Sequence, residues 1–155
     1  ELFVCSRNIR RNKPDDISTD PYWHIAVKYD IESKLRTNPH LAIQGEICGP
    51  NIQRNLLGLS DLKFFVFNVV DLGTKEKLPF STMLNTCNEI LNLPVVPIEE
   101  NGDVFSCDSI KSLLSTAKGT YNGTKKDREG LVIRSQDQSI SFKAINNDYL
   151  LKYGF

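Results

Sequence analysis

Near its carboxyl end the chain reads Glu129-Gly130-Leu131-Val132-Ile133-Arg134, then a few polar residues, then Ser141-Phe142-Lys143-Ala144-Ile145-Asn146. This predicts two short strands. The first opens with a carboxylate and the second carries one lysine, and apolar residues surround both charges. Strands alternate faces with a period of two, so Glu129, Leu131 and Ile133 are expected on one face, and Ser141, Lys143 and Ile145 on one face of the next strand. Burying a carboxylate or an ammonium among apolar residues is costly without a partner or a ligand. The chain must therefore fold so that these charges meet each other or a bound molecule, and strands are rigid enough to hold such groups in position.

The rest of the chain reads as strands separated by surface helices. Residues 2–7 are expected to form a strand and residues 8–20, polar and basic, a loop. Asp20-Pro21 is a helix start, because aspartate caps and proline fits the first turn. Trp23, Val27, Ile31 and Leu35 recur at helical spacing, and Asn38-Pro39 ends that helix. Residues 41–48 and 62–72 read as strands, the second rich in Phe and Val and suited to a buried position. A helix follows over about 81–92 with Met83, Leu84, Cys87, Ile90 and Leu91 on one face. Val95-Val96-Pro97-Ile98 suits a sheet edge, since proline cannot donate to a ladder. A second helix starts near Asp108, carries Ile110, Leu113, Leu114 and Ala117, and stops at Lys118-Gly119. A short helix spans about 147–153. The implied fold class is α+β.

Bulk properties exclude several classes. The 155 residues suit one domain or most of one. With 19 basic and 19 acidic residues the net charge is zero, so a whole-surface basic field is excluded while local basic patches are not. No apolar run has membrane-spanning length or resembles a secretion signal. Cys5, Cys48, Cys87 and Cys107 are widely separated, and no pair has metal-ligand or redox spacing, which suggests a reducing, cytoplasmic compartment. The sequon Asn122-Gly123-Thr124 carries little weight without a secretion signal. The first residue is not methionine, and the chain starts as if inside a strand. The expectation is a piece of a longer protein with sequence upstream.

Five segments fall in a telling order: Cys5-Ser6-Arg7-Asn8; Gln44-Gly45-Glu46-Ile47-Cys48-Gly49-Pro50; Phe64-Phe65-Val66-Phe67-Asn68-Val69; Glu129-Gly130-Leu131-Val132-Ile133-Arg134; and Ser141-Phe142-Lys143. This order resembles motifs Ia, III, IIIa, IV and V of the covalent nucleotidyltransferase superfamily. Within it the chain is most similar to ATP-dependent RNA ligases of the Deinococcus and Naegleria type, through Ile43-Gln44-Gly45-Glu46 on to Gln53-Arg54-Asn55. The resemblance spans nearly the whole chain (motifs Ia to V, residues 1–155). It implies an ATP-grasp-like nucleotidyltransferase core of antiparallel sheets flanked by helices. The family's nucleophilic lysine lies in a Lys-x-Asp-Gly sequence before motif Ia. Lys28-Tyr29-Asp30-Ile31 imitates it inside the expected helix, with isoleucine where glycine is needed, and reads as a false match. If this chain were complete it could not self-adenylylate by the family mechanism.

What the resemblance implies for individual residues can be set beside their chemistry. Lys143 is expected at the α-phosphate of ATP, as a compact cation that follows charge building on nonbridging oxygens. Glu46 and Glu129 match the acidic positions expected to hold Mg2+ or Mn2+ through water, because magnesium keeps most of its hydration shell. Glu46 could instead, or also, bind the ribose hydroxyls. Phe67 is expected to stack on adenine and Leu131 to close the base's other side. Arg7 with Asn8 would contact sugar or phosphate. Arg10, Arg11, Lys13, Lys125, Lys126 and Arg128 are candidates for RNA phosphates. Two departures stand out: Asn68 replaces the aspartate of many relatives, and Arg134 a frequent lysine. Ile145 takes the place of a second motif V lysine found in some.

The implied reaction joins a 3′-hydroxyl RNA end to a 5′-phosphate end, in nicked duplex or single strands, through ligase-AMP and AMP-RNA intermediates. An accessory domain would precede the core, and Tyr149 to Phe155 reads as a natural terminus. A DNA ligase or capping guanylyltransferase on the same scaffold, or a noncatalytic nucleotide- or RNA-binding module, are the alternatives.

Overall fold

The computed structural model describes residues 1–99, 105–121 and 123–154. Asn122 of the sequon, residues 100–104 and the final residue lie outside them. Two antiparallel sheets form the frame, as the α+β reading requires. β1 (Leu41–Cys48) pairs with β2 (Lys63–Asp71), and β3 (Glu76–Lys77) adds two rungs at Val70 and Asp71. β4 (Gly130–Arg134) and β5 (Ser141–Ile145) make a separate two-stranded sheet.

The core lies under one face of the first sheet. Alternation along β2 turns Phe64 and Val66 inward, with Val69 beyond them, and these residues cluster with Leu41, Ile25, Ile31, Met83, Cys87 and Leu91. Gly45 permits this packing, since a Cβ there would stand 2.5 Å from the Phe64 ring and 2.6 Å from the Phe65 carbonyl oxygen. On the other edge of β2, the Val66 N–H donates to the Pro94 carbonyl at 2.8 Å and the Val96 N–H to Val66 at 2.9 Å. Val95 thus bridges to Val66 in parallel, at the sheet edge expected for that segment.

Helix α1 (Pro21–Lys28) begins as its cap predicts. One Asp20 carboxylate oxygen accepts from the Tyr22 and Trp23 N–H groups, and the other accepts two hydrogen bonds from Arg11 at 2.9 and 2.6 Å. The expected single helix is two helices. Asp30 takes a left-handed conformation (φ 50°) and α2 (Ile31–Thr37) restarts beyond it. The cause is packing: α1 buries Trp23, Ile25 and Ala26 while Val27 is 49 % exposed, so the chain must turn before Ile31 can reach the core.

Three further expectations shift. Residues 2–7 form no strand. Val4 accepts from Arg11 N–H and Ser6 N–H donates to Ile9, so the segment hydrogen-bonds to its own return and makes only a Cys5–Arg10 bridge. Helix α3 (Phe80–Asn85) runs into a π-helical turn over Thr86–Leu91. The wider turn rotates the face, burying Cys87 and Leu91 and leaving Ile90 54 % exposed. Helix α4 (Ile110–Ala117) is capped by Ser109, buries Ala117 and leaves Ile110 77 % exposed. Helix α5 (Asn147–Tyr153) follows β5 as expected. No described helix is long and apolar enough to cross a membrane.

The two sheets are fastened by the β4–β5 turn and by Arg134. Its Nη1 donates to the Phe67 carbonyl at 2.8 Å, Asn68 Oδ1 at 2.7 Å and Gln138 Oε1 at 3.1 Å. Gln138 in turn donates to the Leu78 carbonyl, and the Phe80 N–H to Gln136.

Candidate functional site

Glu46, Glu129 and Lys143 converge from three separate segments. Glu46 stands on β1 opposite Phe65, Glu129 immediately precedes β4, and Lys143 is the third residue of β5. The Lys143 ammonium pairs with the Glu129 carboxylate. Burial pushes the Glu46 carboxyl above its ordinary 4.5, the Glu129 charge pushes it further, and Lys143 pulls it back. All three therefore lie within electrostatic reach of one another. The Cys48 thiol, pushed up to about 11 by burial and by Glu46, stays protonated at the edge of this group.

The placement of Glu129 breaks the simple alternation. In the ladder, Lys143 opposes Val132, and Leu131 opposes Ala144. Directly opposed residues share a face, so Val132 is on Lys143's side and Leu131 on the other. Strict alternation would also send Glu129 to Leu131's side. Gly130 prevents this with φ at +150°, and a Cβ there would strike the Ala144 carbonyl oxygen. Only glycine fits the position, and it turns Glu129 toward Lys143. Asn146, 1 % exposed, secures the turn. Its backbone N–H donates to the Glu129 carbonyl at 2.8 Å, its Nδ2 donates to the Arg128 carbonyl at 2.9 Å, and its Oδ1 caps α5. The Tyr121 hydroxyl accepts from the Glu129 N–H at 3.3 Å.

The first sheet supplies an aromatic wall. β1 and β2 slip register between Gln44 and Gly45, which leaves Phe67 without an opposing residue. Its ring lies 5.7 Å from the Arg134 guanidinium, whose pKa is lowered by burial. Gln44 Oε1 accepts from Asn68 Nδ2 at 2.7 Å, so Asn68 bridges Gln44 and Arg134. Arg134 is joined to Phe67 on one side and, through the rung with Ser141, to β5 on the other, so the Lys143 face of the hairpin looks toward Phe67.

Other residues singled out from the sequence are placed elsewhere. Arg7 and Asn8 form the exposed tip of the Ser6–Ile9 turn, and among the described residues no hydrogen bond or ion pair ties their side chains to the acidic and basic group. Arg128 caps the carboxyl end of α4 through the carbonyls of Thr116, Ala117 and Lys118 and pairs with Glu99. Arg11 is engaged with Asp20. Lys28 pairs with Asp61 and the Leu62 carbonyl, and Asp30 is the helix break, so this look-alike segment is a structural joint. Asn146, Tyr121 and Gln138 were given no role from the sequence, and Gln44 entered only as a motif position, because their partners are backbone groups and side chains brought close only by the fold.

The donor set suits a hydrated hard cation. Among the described residues no group of three or more His, Cys, Asp or Glu side chains could hold a metal. Two carboxylates facing one lysine leave most ligand positions to water, which is the habit of magnesium-like ions.

A family model described as RNA ligase matches residues 1–153. The chain belongs to the RNA ligase family. A search of curated proteins returned no match. Among solved structures, it is similar to Naegleria gruberi RNA ligase. One match is a point mutant with ATP and Mn, at TM-score 0.89 and 29 % identity, covering 100 % of this chain and 46 % of that one. Another is the ligase with PPi, at TM-score 0.85 and 30 % identity, covering 99 % and 45 %. A third is a mutant with AMP and Mn, at TM-score 0.85 and 30 % identity, covering 99 % and 46 %. The chain spans less than half the length of these structures. Its two antiparallel sheets with flanking helices are the nucleotidyltransferase fold of RNA ligases.

Proposed function

We propose that this chain forms the adenylyltransferase core of an ATP-dependent RNA ligase, which joins 3′-hydroxyl and 5′-phosphate RNA ends through ligase-AMP and AMP-RNA intermediates. The observation that carries the reading is the meeting of Glu46, Glu129 and Lys143 on a wall that faces Phe67. Each step of such a ligation is displacement at phosphorus, where the protein positions groups and neutralises charge. Lys143 would leave Glu129 for the α-phosphate as charge builds on its nonbridging oxygens. Glu46 and Glu129 would hold Mg2+ or Mn2+ through water, and the metal would supply further neutralisation there. Glu46 binding the ribose hydroxyls is compatible with the same placement. Phe67 would carry the adenine on its ring, with Arg134 holding the Phe67 backbone in place. The register favours Val132 over Leu131 as the apolar side chain closing the base. Arg7 and Asn8, at a turn tip, would close on the sugar or phosphate with the nucleotide in place.

In this reading the nucleophilic lysine lies outside this segment, and Lys28, which pairs with Asp61, is not given that role. In the parent protein the lysine and an accessory domain would precede this core. The ATP, AMP, PPi and Mn in the Naegleria ligase structures support a nucleotide and a divalent metal here. The test uses a protein carrying the upstream segment, incubated with α-labelled ATP or GTP and Mn2+, and then with RNA ends. Labelled AMP on the protein and sealed RNA are expected. Glu129→Ala and Lys143→Ala should abolish sealing with circular dichroism unchanged. Stable GMP transfer would favour a capping enzyme, and near-normal joining by both variants would remove these residues from the mechanism.

A further inference from the structure

Beside Glu129 a recess about 290 Å³ in volume opens between the 51–58 segment and α5. Gln53, Arg54, Leu56, Tyr149 and Tyr153 line it, and Glu129 is the wall it shares with the first site. Phe67, Lys143 and Glu46 do not line it. Its size is near the lower end of ligand sites, roughly 300–1,000 Å³, which suits a single nucleotide unit.

Three features of this recess are unrelated to core packing. Tyr149 and Tyr153, one turn apart on α5, are half-buried with ring centroids 4.8 Å apart. The Arg54 guanidinium lies 5.7 Å from the Tyr153 ring while its Nη1 donates to the Tyr153 carbonyl at 3.0 Å, so an exposed arginine is held in one orientation. Lys126 Nζ reaches the Asn55 carbonyl at 3.4 Å and sets a second cation against the same segment. Among the described residues neither Arg54 nor Lys126 pairs with a carboxylate, whereas Lys118, Lys143 and Lys152 around them all do. The segment itself is strained: Asn51, Gln53 and Asn55 all have positive φ, at 62°, 47° and 43°. Such residues gather where a loop must present groups to a ligand.

Resting on the ligase reading, we infer that this recess seats the sugar-phosphate backbone of the RNA strand being joined, next to the reacting end. Arg54 and Lys126 bind its phosphates, the tyrosine faces pack against its ribose, and Gln53 is placed to hydrogen-bond a 2′-hydroxyl. Glu129 then stands between the nucleotide and the strand, where the strand's terminal phosphate must arrive. The lining offers one cation unpaired among the described residues, Arg54, with Lys126 held against the same segment outside it, and two aromatic faces, which suits a phosphate joined to a sugar more than a purely apolar partner.

The test is fluorescence anisotropy of a labelled RNA 12-mer and the same DNA sequence over a salt series, with the thermal shift on adding ATP and Mn2+ read in parallel. For Arg54→Gln we expect RNA binding weakened about tenfold and the salt slope reduced by about one, since one phosphate contact is lost. Arg54→Lys should restore the slope, and Gln53→Ala should narrow the preference for RNA over DNA. The ATP-dependent shift should be that of the parent chain in all three. Arg54→Gln binding RNA with parental affinity and slope, at an unchanged melting temperature, overturns the proposal. So does equal weakening by Arg54→Gln and Arg54→Lys, which would signal a loosened α5 in place of a lost charge. A protein that carries the upstream segment and binds RNA but shows no ATP shift would instead refute the ligase reading while leaving the strand site standing.

Discussion

Gly130→Ala should damage this protein more than any other glycine substitution near the site, and by two separable routes. Gly130 has φ +150°, a conformation that is essentially glycine-only and costs another residue about 1–3 kcal/mol. The added methyl would also meet the Ala144 carbonyl oxygen across the ladder. Relief requires opening the Gly130–Ile145 rung and the Asn146 N–H to Glu129 hydrogen bond, each backbone bond contributing roughly 0.5–1.5 kcal/mol. The sum is about 2–6 kcal/mol, a large fraction of the roughly 5–15 kcal/mol that stabilises a domain. Gly58→Ala is the control: φ is +63° and a Cβ there meets nothing within 4 Å. It should cost only about 1 kcal/mol, the left-handed penalty alone. Urea unfolding followed by the fluorescence of the single tryptophan, buried Trp23, reads both values. The Mn2+-dependent thermal shift reads the second consequence, since Glu129 would no longer face Lys143. A Gly130→Ala protein as stable as the Gly58→Ala protein, with its metal response intact, would refute the claim that this glycine aims Glu129.

Three other perturbations test the same architecture. The folded protein raises the Glu46 carboxyl above 4.5, so ionising it costs folding free energy, and stability should fall as the pH rises from 4.5 through the raised value. Glu46→Gln should therefore be more stable than the parent at neutral pH, with a flatter urea-midpoint profile on the acid side, yet show a weaker Mn2+ shift; lower stability at neutral pH would contradict this. Asp20→Ala removes a cap worth about 0.5–2 kcal/mol and strands Arg11, and urea unfolding should show a loss at or above the upper end of that range. Arg134→Met leaves the Asn68 amide oxygen and the Phe67 carbonyl without their donor, a loss of roughly 1–3 kcal/mol for each group that stays dry. Calorimetric titration should show weaker ATP binding as well, and unchanged affinity would mean that Phe67 holds its place unaided.

Much of this architecture was legible because it rests on local rules. The Asp20-Pro21 start, the strands at 41–48 and 130–134, and the turn after Cys48 follow from capping, alternation and breakers. The motif order grouped Glu46, Glu129 and Lys143, which no period could relate, and the fold pairs Lys143 with Glu129 and sets Glu46 within reach of both charges. What escaped was decided by tertiary packing. Trp23, Val27, Ile31 and Leu35 look like one stripe, but the buried residues of α1 are Trp23, Ile25 and Ala26, which forces the break at Asp30. Alternation counted through Gly130 misplaced Glu129 relative to Leu131, since the rule assumes extended backbone at every step. Arg128 looked like a phosphate ligand because a sequence does not reveal that three helix-end carbonyls will surround it.

Two of the departures from the family pattern, Asn68 and Arg134, are one feature in space. The Asn68 amide oxygen receives Arg134 at 2.7 Å, and its amide nitrogen donates to Gln44 at 2.7 Å, a division of labour unavailable to a carboxylate, which only accepts. Arg134 in turn needs several acceptors, because burial disfavours its charge and no carboxylate contacts it among the described residues. Its planar fork reaches a backbone carbonyl and two side-chain amides from one nitrogen, whereas lysine would offer a shorter point charge. An aspartate at 68 would meet Gln44 oxygen to oxygen unless that amide flipped. Asparagine and arginine together thus form a hydrogen-bonded chain running from Gln44 through Gln138 to Leu78. That chain spans both sheets and fastens the Phe67 segment of the first to the hairpin of the second by hydrogen bonds. The negative charges left at the site are then Glu46 and Glu129, both on the side where a phosphate and its metal would lie.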